Sequence, residues 1–199
     1  QAGYTLCNSE EEADAVIINT CGFIESAKKE SIDEILQLAR RKEAGKLKAI
    51  VVTGCLAERY QTEIRKELPE VDAVLGIGAN KDIALALKEA LEGHKKELFA
   101  SKYDLSLSGE RVLSTPKFYA YLKISDGCDN CCTYCAIPLI RGRFRSRTME
   151  DIVAEAEQLV ANGVKELIVI AQDTTRYGED IYGKLMLPEL LRRLCKIEG

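Results

Sequence analysis

The sequence has no Trp, a single His, two Met and four Pro, and only 6% of its residues are aromatic. The lone His94 follows Gly93 and precedes Lys95 and Lys96, a solvated-loop setting, so the side chain most used for general acid–base catalysis is effectively missing. No apolar run approaches the ~18 to 20 residues of a membrane span. The longest, Ala49–Val52 and Leu167–Ala171, have strand length. No signal peptide opens the chain, because Gln1–Tyr4 lead into the acidic run Glu10–Glu12. No charge of one sign dominates either: 28 Lys+Arg stand against 32 Asp+Glu, a net −4 that argues against wholesale coating of nucleic acid. The chain also lacks an initiator Met and is therefore expected to be a fragment. A cytoplasmic location with no membrane partner is expected.

What is present is globular: 46% hydrophobic and 30% charged over 199 residues, enough for one large domain or two small ones. The first half alternates strand and helix signals. Ala13–Asn19 reads as a buried strand, 24–41 as a helix with Ile32, Ile35, Leu36 and Ala39 on one face, and Lys48–Thr53 as a second strand. A helix over 57–68 is ended by Pro69, a third strand covers 71–75, and a third helix covers 82–91. This rhythm predicts an α/β fold with a helix-covered parallel sheet, whose ligands gather at the carboxyl ends of the strands. Cys21 and Cys55 each fall just past a strand, at that edge.

The pattern breaks over 94–116, a polar stretch with Ser101, Ser106, Ser108, Gly109 and Pro116. The expected organisation is a first domain over 1–97, a linker over 98–116 and a second domain over 117–199. The second half restarts with a strand at 118–124 and a loop to Arg147. A helix capped by Thr148 with Asp151 follows, then a strand at 166–171 and a helix at 188–196. Two β/α units cannot close a barrel, so this second series is expected to be incomplete.

The loop Cys128-Asp129-Asn130-Cys131-Cys132-Thr133-Tyr134-Cys135 holds four of the eight cysteines. Disulfides fit poorly with a chain this rich in periodic apolar structure. Two adjacent C-x2-C pairs would suit zinc, although zinc pairs are normally separated by a dozen or more residues. The other parsing, C-x3-C-x2-C through Cys128, Cys132 and Cys135, offers three thiolates to a cubane iron–sulfur cluster that takes four when fully protein-bound, leaving one iron open. In the same loop Arg141, Arg143, Arg145 and Arg147 recur at alternate positions. In an extended segment they would share a face, either a solvated basic loop or one that meets an anion.

C-x3-C-x2-C with an aromatic at Tyr134, on the loop after a first β/α strand, resembles the radical S-adenosylmethionine (SAM) superfamily. The resemblance implies a 4Fe-4S cluster on Cys128, Cys132 and Cys135, with SAM on the open iron and Tyr134 near its adenine. It also implies reductive cleavage of SAM to a 5′-deoxyadenosyl radical, which requires an electron donor. Two further blocks, Asn19–Glu25 (N-T-C-G-F-I-E) and Thr53–Tyr60 (T-G-C-L-A-E-R-Y), resemble the N-terminal domain of the methylthiotransferases. There, three Cys hold a second, sulfur-delivering 4Fe-4S cluster. Cys21 and Cys55 match two of them, and the third, in an upstream G-C-x-K-N segment, is absent from this sequence. Cys7 lies where that family shows no ligand, and Cys131 replaces a usual Arg without disturbing the x3 spacing. Cys195 reads as a packing residue.

Within the methylthiotransferases, Ala136–Arg147 (A-I-P-L-I-R-G-R-F-R-S-R) and Ala171–Gly178 (A-Q-D-T-T-R-Y-G) resemble the branch that modifies a ribosomal protein rather than the branch that modifies a tRNA adenosine. The implied fold is a Rossmann-like parallel-sheet methylthiotransferase domain followed by the first β/α units of a radical SAM barrel. The implied reaction is methylthiolation of the β-carbon of an aspartate in small-subunit ribosomal protein S12, with tRNA a partner only under the alternative. Arg143, Gln172, Asp173 and Thr174 are candidate cofactor-binding residues. The last three would otherwise be a structural polar loop past the second strand.

Overall fold

The computed structural model describes residues 3–7, 9–109, 113 and 116–199. The chain divides into two compact units, Gln1–Leu105 and Ser106–Gly199. Several residues of the stretch read as a linker, 110–112, 114 and 115, lie outside the described residues, as does Asn8 beside Cys7.

The first unit is a four-stranded parallel sheet in the order β1-β2-β3-β4: β1 Ala15–Thr20, β2 Ala49–Gly54, β3 Ala73–Leu75 and β4 Lys96–Leu98. Helices α1 Glu25–Glu43, α2 Cys55–Arg59, α3 Gln61–Glu67 and α4 Ile83–Leu91 connect and cover it. Side-chain alternation along β2 builds two cores. Ile50 and Val52 join Ile35 and Leu38 of α1 and Ile64 of α3, whereas Ala49 and Val51 join Ala86, Leu87 and Ala90 of α4. Every residue of β2 is buried, as a strand covered on both faces must be.

The structure departs from three of these expectations. The strand read as buried over 13–19 is β1, which pairs only with β2 among the described residues and leaves Ile17 exposed. The helix read as continuous over 57–68 breaks at Tyr60, whose backbone (φ −123°, ψ 45°) leaves the helical region. Its ring lies under Lys28 at 5.5 Å and Arg59 at 5.0 Å and packs on the core. The polar stretch from residue 94 contains β4, whose backbone extends the sheet while Leu98 packs with the α4 core.

The second unit begins with β5 Tyr119–Lys123, continued by the two-residue β6 Ser125–Asp126. The cysteine loop and α5 Ile137–Arg141 follow, then β7 Arg145–Ser146, α6 Met149–Ala161 and β8 Glu166–Ile170, ending in α7 Glu179–Tyr182 and α8 Leu187–Leu194. β5 and β8 pair in parallel from Tyr119↔Glu166 to Lys123↔Ile170, and β6 pairs antiparallel with β7. α6 packs Met149, Ile152, Ala156 and Leu159 onto Ala120, Leu122 and Ile124. Thr148 Oγ1 accepts the Asp151 N–H at 3.2 Å, the cap expected from sequence. Tyr177 is fully buried in this core and donates its hydroxyl to the Arg147 carbonyl at 3.1 Å. Cys195, expected to pack, is instead exposed at the end of α8. No helix among the described residues is long and apolar enough to cross a membrane.

The turn from β2 into α2 depends on Gly54. Its φ is +98°, and a Cβ there would lie 2.5 Å from the Thr20 carbonyl oxygen and 2.6 Å from Asn19 Oδ1. Gly54→Ala is expected to destabilise the first unit by about 1–3 kcal/mol. Urea unfolding followed by far-UV circular dichroism checks this, and an unchanged midpoint would contradict the role given to Gly54.

Candidate functional site

In the first unit, β1 and β2 end in register, Thr20 opposite Gly54, so the next residues of the two strands, Cys21 and Cys55, emerge side by side at the carboxyl edge. A Cβ added to Gly22 would sit 2.7 Å from the Cys55 carbonyl oxygen, which measures how closely the two backbones approach. Hydroxyls and amides brace this edge. Thr20 Oγ1 donates to the Thr53 carbonyl (2.6 Å), and Thr53 Oγ1 donates to Asn80 Oδ1 (2.6 Å). Ser31 Oγ accepts the Cys21 N–H (3.2 Å), and Arg59 Nη1 donates to the Gly22 carbonyl (3.0 Å). Cys55 is buried and Cys21 half-buried. Cys7 is exposed, its thiol donating to the Ser9 carbonyl at 3.4 Å. His94 is exposed, its Nδ1 3.9 Å from Glu89 and 4.0 Å from Glu92.

In the second unit, the cysteine loop leaves β6 through Gly127, a position that needs glycine because its φ is +75° and a Cβ would lie 2.2 Å from the Arg143 carbonyl oxygen. Cys128 is buried and its N–H donates to the Gly142 carbonyl at 3.2 Å. Cys131 and Cys132 are exposed, Cys135 is half-buried, and Tyr134 is 92% exposed. Cys131 takes a left-handed φ of 50°, unusual for a residue with a Cβ. All eight cysteines are free thiols.

The four arginines do not share one face. Arg141 closes α5, Gly142 (φ 80°) turns the chain, and Arg145 lies in β7, so the segment is not extended. Arg141 Nη1 and Arg145 Nη2 reach Asp126 at 3.2 and 3.7 Å. Arg147 is buried, pairing with Glu155 at 2.6 Å and donating to the Lys123 carbonyl at 2.8 Å, an internal brace rather than an anion-facing group. Arg143 remains exposed.

Past β8, the Gln172 Oε1 atom is buried without a hydrogen-bond partner. Thr174 is half-buried, and its carbonyl accepts the Tyr177 N–H at 3.2 Å. Asp173 is engaged on both oxygens. Oδ2 accepts from Asn130 Nδ2 at 2.9 Å, and Oδ1 accepts from the Thr175 N–H at 2.9 Å and its hydroxyl at 2.6 Å. Asp173 therefore ties the cysteine loop to the loop after β8. Sequence reasoning missed two participants, Asn130 and Asp126. The signal for Asp126 was a carboxylate at the end of an apolar strand, ahead of a basic run.

Among the described residues, no three His, Cys, Asp or Glu side chains converge to hold a metal ion. The donor set fits an iron–sulfur cluster in kind: three free thiols at C-x3-C-x2-C spacing, on one loop at the carboxyl edge of a parallel strand pair.

Residues 122–198 match the Radical SAM superfamily, and residues 1–76 match the family described as Uncharacterized protein family UPF0004. Residues 122–198 thus belong to the Radical SAM superfamily, which implies an iron–sulfur cluster and SAM. Over 198 residues it is 54% identical to the "Ribosomal protein uS12 methylthiotransferase RimO" of Clostridioides difficile (strain 630), covering 99% of the chain and 45% of that relative. It is 52% identical over 200 residues to the protein of the same name from Thermoanaerobacter sp. (strain X514), covering 100% of the chain and 46% of the relative. It is 54% identical over 198 residues to that of Desulforamulus reducens, covering 98% and 45%. Along its whole length the chain is similar to these proteins named RimO, and it spans about half the length of the curated relatives it matches.

Hydrogen bonds from Thr175 and Asn130 hold the Asp173 carboxyl below its ordinary pKa of 3.8. A depressed carboxylate stabilises the fold above the unfolded pKa and loses that contribution as the pH falls through the folded one. The Asn130–Asp173 link is therefore expected to survive acidification through pH 3.8 and to open only below it. The Asn130 side-chain amide resonances report this by NMR; a transition at or above 3.8 would contradict it.

Proposed function

We propose that the chain serves the methylthiolation of the β-carbon of an aspartate in small-subunit ribosomal protein S12, in the cytoplasm. The observation that carries this reading is the loop with Cys128, Cys132 and Cys135 at the carboxyl edge of the β5–β8 pair, in a chain alike along its whole length to proteins named for that reaction. In this reading residues 1–97 form the methylthiotransferase domain, 98–116 the linker and 117–199 the beginning of the radical SAM domain.

The aspartate β-carbon carries no proton that an ordinary side-chain base removes at neutral pH, so the cofactors must carry the hard step. A bound 4Fe-4S cluster would supply one-electron reduction chemistry toward SAM, with an external donor as the source of the electron. The chain's own residues supply ligands and position. Cys128, Cys132 and Cys135 would hold that cluster, and Cys21 and Cys55, which follow the Thr20↔Gly54 register, would supply two thiolates to a second, sulfur-delivering cluster. Exposed Tyr134 is available to the adenine, and Gln172 offers an acceptor for a SAM donor group. Thr174 and Asp173 shape the same loop, and exposed Arg143 suits a carboxylate.

The test uses the full-length natural protein, reconstituted without oxygen and supplied with SAM and reductant, then incubated separately with small ribosomal subunits and with unmodified tRNA. Mass spectrometry is expected to find the methylthio group on S12 and on no tRNA nucleoside, and Cys132→Ala is expected to abolish it. Methylthio mass on adenosine alone would overturn the substrate, and full activity of Cys132→Ala would overturn the ligand set.

A further inference from the structure

The cysteine loop is closed at its neck by a succession of contacts between the chain entering it and the chain leaving it. Asp126 lies opposite Arg145 in the β6–β7 ribbon. Gly127 abuts the Arg143 carbonyl, the Cys128 N–H donates to Gly142, and the Phe144 N–H donates to Asp129 Oδ1 at 3.3 Å. The innermost contact is also the only one that involves a wholly buried carboxylate. Asp126 is 0% exposed, two residues before Cys128. Its Oδ1 accepts from Lys123 Nζ at 2.6 Å and Arg141 Nη1 at 3.2 Å, and its Oδ2 faces Arg145 Nη2 at 3.7 Å.

A carboxylate taken wholly out of water is tolerated only when cations and hydrogen bonds compensate for lost hydration. Here the compensating cations come from both sides of the loop: Lys123 precedes it, and Arg141 and Arg145 follow it. The carboxylate therefore does more than neutralise charge, because it draws the end of α5 and strand β7 onto the end of β5. Without its charge, Lys123, Arg141 and Arg145 would lose the carboxylate they share, and the contact across the neck would weaken.

We infer that Asp126 is a positioning residue: it closes the neck of the cysteine loop and thereby keeps Cys128 buried and aligned. It acts through Gly127 and the β6–β7 pairing. The inference rests on the proposal that this loop binds the cluster, and its first readout is independent of cluster, SAM and substrate.

In the metal-free 199-residue chain, iodoacetamide labelling of each cysteine is followed over time by peptide mass spectrometry. Cys128 is expected to react far more slowly than exposed Cys132. Asp126→Asn is expected to raise the Cys128 rate roughly tenfold or more through local opening. Buried Cys55, in the other unit, serves as the internal control and should not change. Asp126→Glu, which keeps the charge, should restore most of the protection, which a purely steric role would not predict. If Asp126→Asn fails to fold, Lys123→Met and Arg145→Gln, which each leave the carboxylate two cations, should give intermediate rates. Wild-type Cys128 protection in Asp126→Asn, or in both single-cation variants, overturns the inference. A second readout is iron bound after anaerobic reconstitution, expected to fall in Asp126→Asn and recover in Asp126→Glu; equal iron in wild type and Asp126→Asn also overturns it. If instead a variant lacking Cys128, Cys132 and Cys135 binds as much iron as wild type, the cluster assignment falls while the labelling result stands.

Discussion

In a parallel strand pair both chains leave the sheet at the same edge, and this constraint decides where the reactive side chains of each unit lie. In the first unit, the register that sets Thr20 opposite Gly54 delivers Cys21 and Cys55 to neighbouring positions although 33 residues of sequence separate them. In the second, pairing of β5 with β8 brings the cysteine loop beside the segment from Gln172 to Thr175, and the Asn130–Asp173 hydrogen bond records the contact. Neither arrangement is set up by the reactive side chains themselves. Both rely on hydrophobic strands, buried on one or both faces, that hold their register because a slip would turn apolar side chains toward water.

Polar groups then stiffen these edges. Around the cysteine loop the chain buries charge in pairs and clusters: Asp126 with Lys123, Arg141 and Arg145, and Arg147 with Glu155. Replacement by apolar residues often stabilises a fold, so buried ionic groups such as these are better explained by what they position than by what they add to stability. Arg147 anchors the exit of the loop to Lys123 of β5 and, through its carbonyl, to buried Tyr177. Burial pushes the Tyr177 phenol well above its ordinary pKa, so it stays a neutral hydrogen-bond donor. The region around the thiols is accordingly framed by fixed hydrogen bonds, while Cys131, Cys132 and Tyr134 at its tip face solvent.

The strand–helix rhythm was legible because apolar runs such as Ala49–Val52 and Leu167–Ala171 have strand length and the helices carry an apolar face. The cysteine spacing was equally legible, since ligand spacing on a short loop is a local property. Tertiary effects were not. Tyr60 breaks a helix that local periodicity favours, because its ring is drawn between Lys28, Arg59 and the core. The short β4 was hidden because its sequence, Lys96-Glu97-Leu98, is mostly polar and its pairing comes from a neighbouring strand rather than from its own propensity. The alternate arginines suggested one extended face, but Pro138 in the first turn of α5 and the turn at Gly142 divide them between a helix end, an exposed loop, a ribbon and the interior. No pattern in the sequence pairs Asp126 with three cations, since that match exists only once the loop has returned on itself.

The central claim is that three thiols of one loop hold a cluster with a site open to SAM. The most direct measurement is 5′-deoxyadenosine formation by the full-length protein, reconstituted without oxygen and given SAM and dithionite. The account predicts deoxyadenosine that depends on Cys128, Cys132 and Cys135. Stoichiometric zinc without iron or sulfide, and no deoxyadenosine under reducing conditions, would contradict it.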